Sequence, residues 1–257
     1  MELRRQHLRV RARSKASLTP ETMAEPKVKP GVKQRVKPRA RKQTVAELER
    51  ITTFINSLDP GNKPFLDDLE KEAIEDEVPI IRKDTQAFIK FLMAQNSPKN
   101  ILEVGCAVGF SALLMAAYTD SDTRITTIEK YEKRIPVARE NFSKYDTEGK
   151  ITLLEGDAMD ILKTLSPGYD FIFMDAAKGQ YINFLPECLR VLNKGGLLLS
   201  DNVLQDGDVF ESRFAVTRRN RTIHSRMREY LYELKHNEQL NTVILTVGDG
   251  MALSVKL

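Results

Sequence analysis

Ile101-Leu102-Glu103-Val104-Gly105-Cys106-Ala107-Val108-Gly109-Phe110-Ser111 is the stretch on which the reading of this chain turns. The apolar run ending at Gly105 predicts a buried strand, and residues 110–118 (FSALLMAAY) predict the helix that follows. Gly105 and Gly109 lie in the turn between them. Glycines there let the backbone fold sharply and approach a ligand, while the helix start offers it unpaired N–H groups. A dinucleotide fingerprint needs G-x-G-x-x-G. This chain has E-x-G-x-x-x-G instead.

Outward from this turn, apolar runs at about 100–104, 124–129, 151–155, 170–175 and 196–201 alternate with helical patterns at about 110–119, 132–145, 158–165 and 180–193. Such alternation describes βαβ units and a parallel sheet buried on both faces. The last quarter differs. A polar helical stretch at about 209–238 leads to residues 242–247 (TVILTV), the turn Gly248-Asp249-Gly250 and residues 252–255 (ALSV), together a β-hairpin. Upstream, Thr44 and Glu47 form a capping box. Val45, Leu48, Ile51, Ile55 and Leu58 recur behind it at helical spacing, predicting a helix at about 45–58 that Asp59-Pro60-Gly61-Asn62 stops. Further helices are expected at about 65–77 and 83–95, the second with Phe88, Phe91 and Leu92 on one face.

The net charge of +4 is unevenly spread. Residues 1–43 hold fourteen Lys/Arg against three Glu, a net of +11, which leaves −7 on residues 44–257. The chain thus divides into a basic extension, 1–43, with little to bury and expected to be disordered in isolation, and a domain, 44–257, long enough for one sizeable core. The extension reads either as an electrostatic arm for nucleic acid or as a solvated tail. No apolar run approaches the ~20 residues of a membrane span. Without an apolar signal segment at the start, a cytoplasmic protein with no membrane partner is expected. Cys106 and Cys188 read as small buried groups and allow no disulfide framework or metal-cysteine cluster.

Acidic residues recur at predicted strand ends, where open α/β sheets bind ligands. Glu129 closes the second strand and can accept from both hydroxyls of a ribose, in NAD as well as in other nucleosides. Asp157, within Gly156-Asp157-Ala158, reads as an acceptor for an adenine amino group or as a helix N-cap. Asp175 closes the fourth strand with Lys178 three residues on, and Asp201-Asn202 closes the fifth. Two carboxylates and an amide on one rim suit a hard cation such as Mg²⁺.

The turn resembles motif I of the class I S-adenosylmethionine-dependent methyltransferases, in which Glu103 would face the methionine end of the cofactor. The resemblance implies their α/β fold, a mostly parallel seven-stranded sheet with a C-terminal antiparallel β-hairpin and helices on both faces. From about residue 75 onward the sequence is similar to the catechol O-methyltransferase-like, metal-dependent O-methyltransferases of family 3. That similarity implies S-adenosylmethionine at Glu103, Gly105, Ser111, Glu129, Asp157, Ala158 and Asp175. It also implies Mg²⁺ at Asp175, Asp201 and Asn202, catalysis by Lys178 with Asp175, and a homodimer. Residues 175–181 (DAAKGQY) and 247–254 (VGDGMALS) look most like the bacterial tRNA 5-hydroxyuridine methyltransferases.

The implied chemistry is chelation of two adjacent substrate oxygens, loss of a hydroxyl proton to Lys178, and in-line methyl transfer. A nearby sulfonium and divalent cation would favour the neutral lysine such a step needs. Catechol and 5-hydroxyuracil both offer the oxygen pair. Arg213, Arg218, Arg219, Arg221, Arg226 and Arg228 fall within the expected helix 209–238, where they could grip phosphates or form a solvated face. Three readings follow: a tRNA wobble-uridine O-methyltransferase, a small-molecule catechol or phenol O-methyltransferase, and a non-catalytic RNA-binding protein on the same scaffold. The intact set of Asp175, Lys178, Asp201 and Asn202 speaks against the third.

Overall fold

Adjacent apolar residues of the first strand, β1 (Asn100–Val104), point into opposite cores, and this alternation organises the fold. Leu102 and Val104 pack on one face with Ile128, Ile172, Met174 and Leu198, while Ile101 packs on the other with Ile125, Phe171, Phe173 and Leu199. A sheet covered on both sides has no solvent face, which is why its strands read as continuous apolar runs. The computed structural model describes residues 45–257; the basic extension and the Thr44 half of the capping box lie outside the described residues.

The remaining strands are β2 (Arg124–Glu129), β3 (Ile151–Glu155), β4 (Tyr169–Met174), β5 (Leu192–Ser200), β6 (Leu240–Leu245) and β7 (Met251–Lys256). They form one seven-stranded sheet in the order β3-β2-β1-β4-β5-β7-β6. The first five run parallel, and β7 is antiparallel to both β5 and β6. The mostly parallel sheet with a terminal antiparallel hairpin is therefore as expected. Because β7 runs backwards beside β5, the β6–β7 turn lies at the same rim as the carboxyl ends of the parallel strands.

Helices α1 (Val45–Ser57), α2 (Pro64–Glu75), α3 (Lys83–Asn96), α4 (Phe110–Ala117) and α5 (Ile135–Tyr145) precede β3. Of these, α2 to α5 supply Leu66, Ile89, Leu113 and Phe142 to one core. The other core takes Leu162, Tyr181 and Tyr230 from α6 (Ala158–Thr164), α7 (Tyr181–Val191) and α8 (Arg221–His236). Of the apolar stripe expected for α1, Ile51 and Ile55, with Leu58 just beyond the helix, are exposed, as is Phe54, while the side chains of Val45 and Leu48 lie outside the described residues.

Four elements differ from the sequence reading. The single helix expected at 209–238 is a 3₁₀ segment, Gln205–Phe210, then a loop, and only then α8. Gln205 and Asp206 adopt left-handed backbone and Gly207 has φ +95°, which breaks the helix, while buried Val216 pins the loop. Arg213, Arg218 and Arg219 consequently lie on the loop rather than on a helix. The α5 helix begins at Ile135 rather than 132 because Pro136 belongs in a first turn. The helix expected at 180–193 is a 3₁₀ turn, Lys178–Gln180, leading into α7, and β5 starts at Leu192 instead of 196.

Candidate active site

Five consecutive sheet strands deliver their ends to one rim: Gly105 follows β1, Glu129 closes β2, Gly156 follows β3, Asp175 follows β4 and Asp201 follows β5. All five line one cavity of about 650 Å³. The β1–β4 boundary, where the strand order reverses direction, is the switch point at which open α/β sheets place ligands.

The glycine turn forms the floor of this cavity. Gly105 has φ +93°, and a Cβ there would sit 2.4 Å from the Asp175 carbonyl oxygen, so no other residue fits without moving β4. Gly109, at φ +88°, would likewise press into the ring of Phe142. Glu129 fixes the turn from the next strand. One of its carboxylate oxygens accepts the Ala107 N–H (2.8 Å), and the other accepts those of Lys130 (2.8 Å) and Tyr131 (2.7 Å). A carboxylate has about four lone-pair sites, so capacity for an incoming hydroxyl remains.

Glu103 behaves differently from the expectation that it faces the cavity. It belongs to neither the floor nor the walls; its carboxylate is fully buried and accepts hydrogen bonds from Ser111 Oγ and Thr127 Oγ1 (2.5 Å). Burial lifts its pKa from 4.5 to about 7, the two hydroxyls pull the other way, and the charges of Asp175 and Glu129 push it further up. Ser111, the first of those donors, does line the cavity. Asp157 realises the N-cap alternative: it accepts the Met159 N–H at 2.9 Å at the start of α6. That bond, followed by Lys130 at 3.1 Å, holds its carboxyl below the usual range. Asp157 and Ala158 both line the cavity, at the end away from Asp201.

At that other end the structure brings together Asp175, Lys178, Asp201 and Asn202. Backbone bonds stitch the strand ends: the Asp175 N–H donates to the Val104 carbonyl (3.1 Å) and the Asp201 N–H to that of Met174 (3.0 Å). The buried Tyr181 hydroxyl sits 3.2 Å from the carbonyls of both Met174 and Asp201, bracing β4 against β5. Asn202 takes left-handed backbone (φ +55°), which Asn tolerates better than most residues. Burial raises Asp175 to about 6, with Lys178 opposing. It raises Asp201 to about 7, with the charge of Asp175 next in weight.

Two recessed carboxylates that repel each other, beside an amide, are hard oxygen donors of the kind that could hold a divalent cation such as Mg²⁺. Among the described residues, no three His, Cys, Asp or Glu side chains group so as to hold a metal ion, so a cation here would take its third protein donor from the Asn202 amide. The thiol of Cys106, nearby, is pushed well above its ordinary pKa by burial.

Sequence reasoning missed Asp249. Its carboxylate, nearly buried in the β6–β7 turn, lies 3.5 Å from Lys178 Nζ and accepts the Asp206 N–H at 2.6 Å. Gly248-Asp249-Gly250 reads as an ordinary turn, and only the reversed direction of β7 brings it to the rim. Arg82, before α3, also lines the cavity and pairs with Asp206 at 3.0 Å across its mouth. The six arginines divide. Arg221, Arg226 and Arg228 donate to the backbone carbonyls of Val216, Gly179 and Val209, so they serve packing, whereas Arg213, Arg218 and Arg219 make no hydrogen bond or ion pair with any described residue.

Residues 56–257 match the model of an O-methyltransferase family, the third of that description. A catechol O-methyltransferase of Niastella koreensis is 33% identical over 128 residues, 48% of this chain and 58% of that protein. A crystal structure of a Staphylococcus aureus protein, provisionally assigned as a caffeoyl-CoA O-methyltransferase, is 32% identical with a TM-score of 0.75, covering 81% of this chain and all of the other. A Podospora anserina methyltransferase with S-adenosylhomocysteine bound is 25% identical with a TM-score of 0.75, covering 85% and 99%. No helix among the described residues is long and apolar enough to cross a membrane.

Proposed function

We propose, from the premise that this chain belongs to the family 3 O-methyltransferases and is an S-adenosylmethionine-dependent O-methyltransferase, that it methylates 5-hydroxyuridine at the wobble position of tRNA to 5-methoxyuridine. The meeting of Asp175, Asp201, Asn202 and Lys178 on one rim with the Gly105 turn supports O-methyl transfer, and Arg213, Arg218 and Arg219, which pair with no described residue, support an RNA substrate.

In this reading Gly105, Ser111, Glu129, Asp157 and Ala158 hold the cofactor, and Glu103 acts from behind by fixing Ser111. Asp175, Asp201 and Asn202 would hold Mg²⁺, which supplies chelation of two adjacent substrate oxygens and acidifies the hydroxyl to be methylated. Lys178 takes that proton; the oxygen's electron pair then forms the new O–C bond as the S–C bond breaks, leaving S-adenosylhomocysteine and the methyl ether. Asp249 keeps the Lys178 side chain on the rim. The 5-hydroxyl and O4 of 5-hydroxyuracil supply the required oxygen pair. Arginines that pair with no described residue, in an acidic body, together with the basic residues 1–43, supply charge for tRNA. We place the activity in the cytoplasm, and we assign the exposed α1 stripe to a homodimer contact.

A small catechol or phenol as substrate is the second reading, favoured by the names of the relatives. One experiment separates them. Enzyme, S-adenosylmethionine and Mg²⁺ are incubated with bulk tRNA containing 5-hydroxyuridine and, in parallel, with catechol. A one-methyl mass gain on 5-hydroxyuridine, abolished by chelator and restored by Mg²⁺, supports the first reading. Faster turnover of catechol with unmodified tRNA establishes the second.

A further inference from the structure

The most exposed large apolar side chain among the described residues is Phe214, at 86%, with Phe210 next at 70%. Both lie in the segment between β5 and α8 that also carries the unpartnered Arg213, Arg218 and Arg219. Isolated exposed apolar residues need no explanation, but two phenylalanines interleaved with free arginines on one short loop form a patterned surface. Residues 211–221 hold four arginines against one glutamate, inside a domain of net negative charge.

This loop is tied to the cavity at both ends. Its beginning, Asn202 and Asp206, is cavity wall, and the Asp206 N–H is held by Asp249. Its far end runs into α8, where Arg226 donates to the carbonyl of Gly179, next to Lys178. Between those anchors the His224 ring lies 3.2 Å from the Glu211 carbonyl, and Asn220 donates to Asp208 at 3.3 Å. The backbone is thereby fixed, while the two rings and three guanidinium groups face solvent.

Exposed aromatic faces interleaved with cationic side chains match the requirements of single-stranded nucleic acid, whose bases stack and whose phosphates pair. We propose that Phe210, Phe214, Arg213, Arg218 and Arg219 form a platform for unpaired RNA, stacking the nucleotides that flank the base in the cavity and pairing their phosphates. The inference rests on the RNA reading above and adds to it the surface that recognises the strand. The platform admits any flanking sequence, since every base has a π-face.

The test compares a synthetic anticodon stem-loop carrying 5-hydroxyuridine with free 5-hydroxyuridine nucleoside, using the full chain. The readout is the ratio of kcat/KM for the stem-loop to kcat/KM for the nucleoside, with stem-loop affinity measured by fluorescence anisotropy over a range of salt. Phe214→Ala should lower the ratio roughly 5- to 100-fold without altering the salt slope, and Phe214→Trp should restore it. Arg218→Gln with Arg219→Gln should reduce the salt slope by about 0.7 for each phosphate no longer paired. A wild-type enzyme that methylates the stem-loop, with variants that keep its ratio and slope, overturns the platform and leaves the RNA reading intact. A wild-type enzyme that methylates neither RNA nor nucleoside overturns both. Saturable binding of an acidic polypeptide that excludes the stem-loop, abolished in the arginine variant, reassigns the surface to a protein partner.

Discussion

Replacing Glu103 with Gln should remove a pH dependence of stability that burial has built into the core of β1. The carboxyl is fully buried and has a folded pKa of about 7, against 4.5 for the exposed group. Between those two values the folded chain binds a proton that the unfolded chain releases, so stability falls as pH rises. The contribution is fully present below about pH 4.5 and lost as pH passes through about 7. A gap of this size corresponds to roughly 3 kcal/mol. Gln is nearly isosteric and presents an acceptor and a donor to Ser111 and Thr127, whose hydroxyls can each play either part. Urea denaturation of both proteins at half-unit steps from pH 5 to 8 measures the effect. Glu103→Gln should gain on the wild type by roughly 2–3 kcal/mol between pH 5 and pH 8, titrations of groups not coupled to Glu103 cancelling in the difference. Parallel stability curves would refute the buried-carboxyl argument.

Gly105→Ala meets the Asp175 carbonyl oxygen and a positive φ together, so it should cost about 1–3 kcal/mol in thermal or urea unfolding and lower kcat/KM as well. Asp249→Asn should lower kcat roughly 10- to 100-fold by freeing Lys178 to wander, with little change in the affinity for S-adenosylhomocysteine measured by calorimetry. Ile55→Asp, on the exposed face of α1, should shift sedimentation toward the monomer at unchanged thermal stability if that stripe is a contact between copies.

Much of the site was readable because chemistry at a parallel-sheet rim must sit at strand ends, and strand ends show in a sequence as the last polar residue after an apolar run. Glu129, Asp175 and Asp201, which the fold brings to one cavity, were placed at the rim in this way. The same logic cannot tell which side an in-strand residue faces. With both faces of β1 buried, periodicity carries no direction, and Glu103 was aimed at the cavity when it lies behind the wall. Asp249 was illegible for a different reason: its significance comes from pairing β7 antiparallel to β5, which joins residues about fifty apart in the chain. The loop after Phe210 read as helix because its polar residues and arginines are good helix formers, while the left-handed Gln205 and Asp206 carry no sequence mark of their own.

The missing Cβ at Gly105 also sets a length. The floor that would bear the methyl donor and the strand end that carries Asp175 are separated by less than the width of one methyl group. They cannot drift apart independently, because the Asp175 N–H is bonded to Val104, the residue just before that glycine. In the proposed reaction, donor and acceptor would thus be positioned from a single point of the backbone. The glycine turn and the end of β4 therefore move as one piece of backbone when the outer helices breathe.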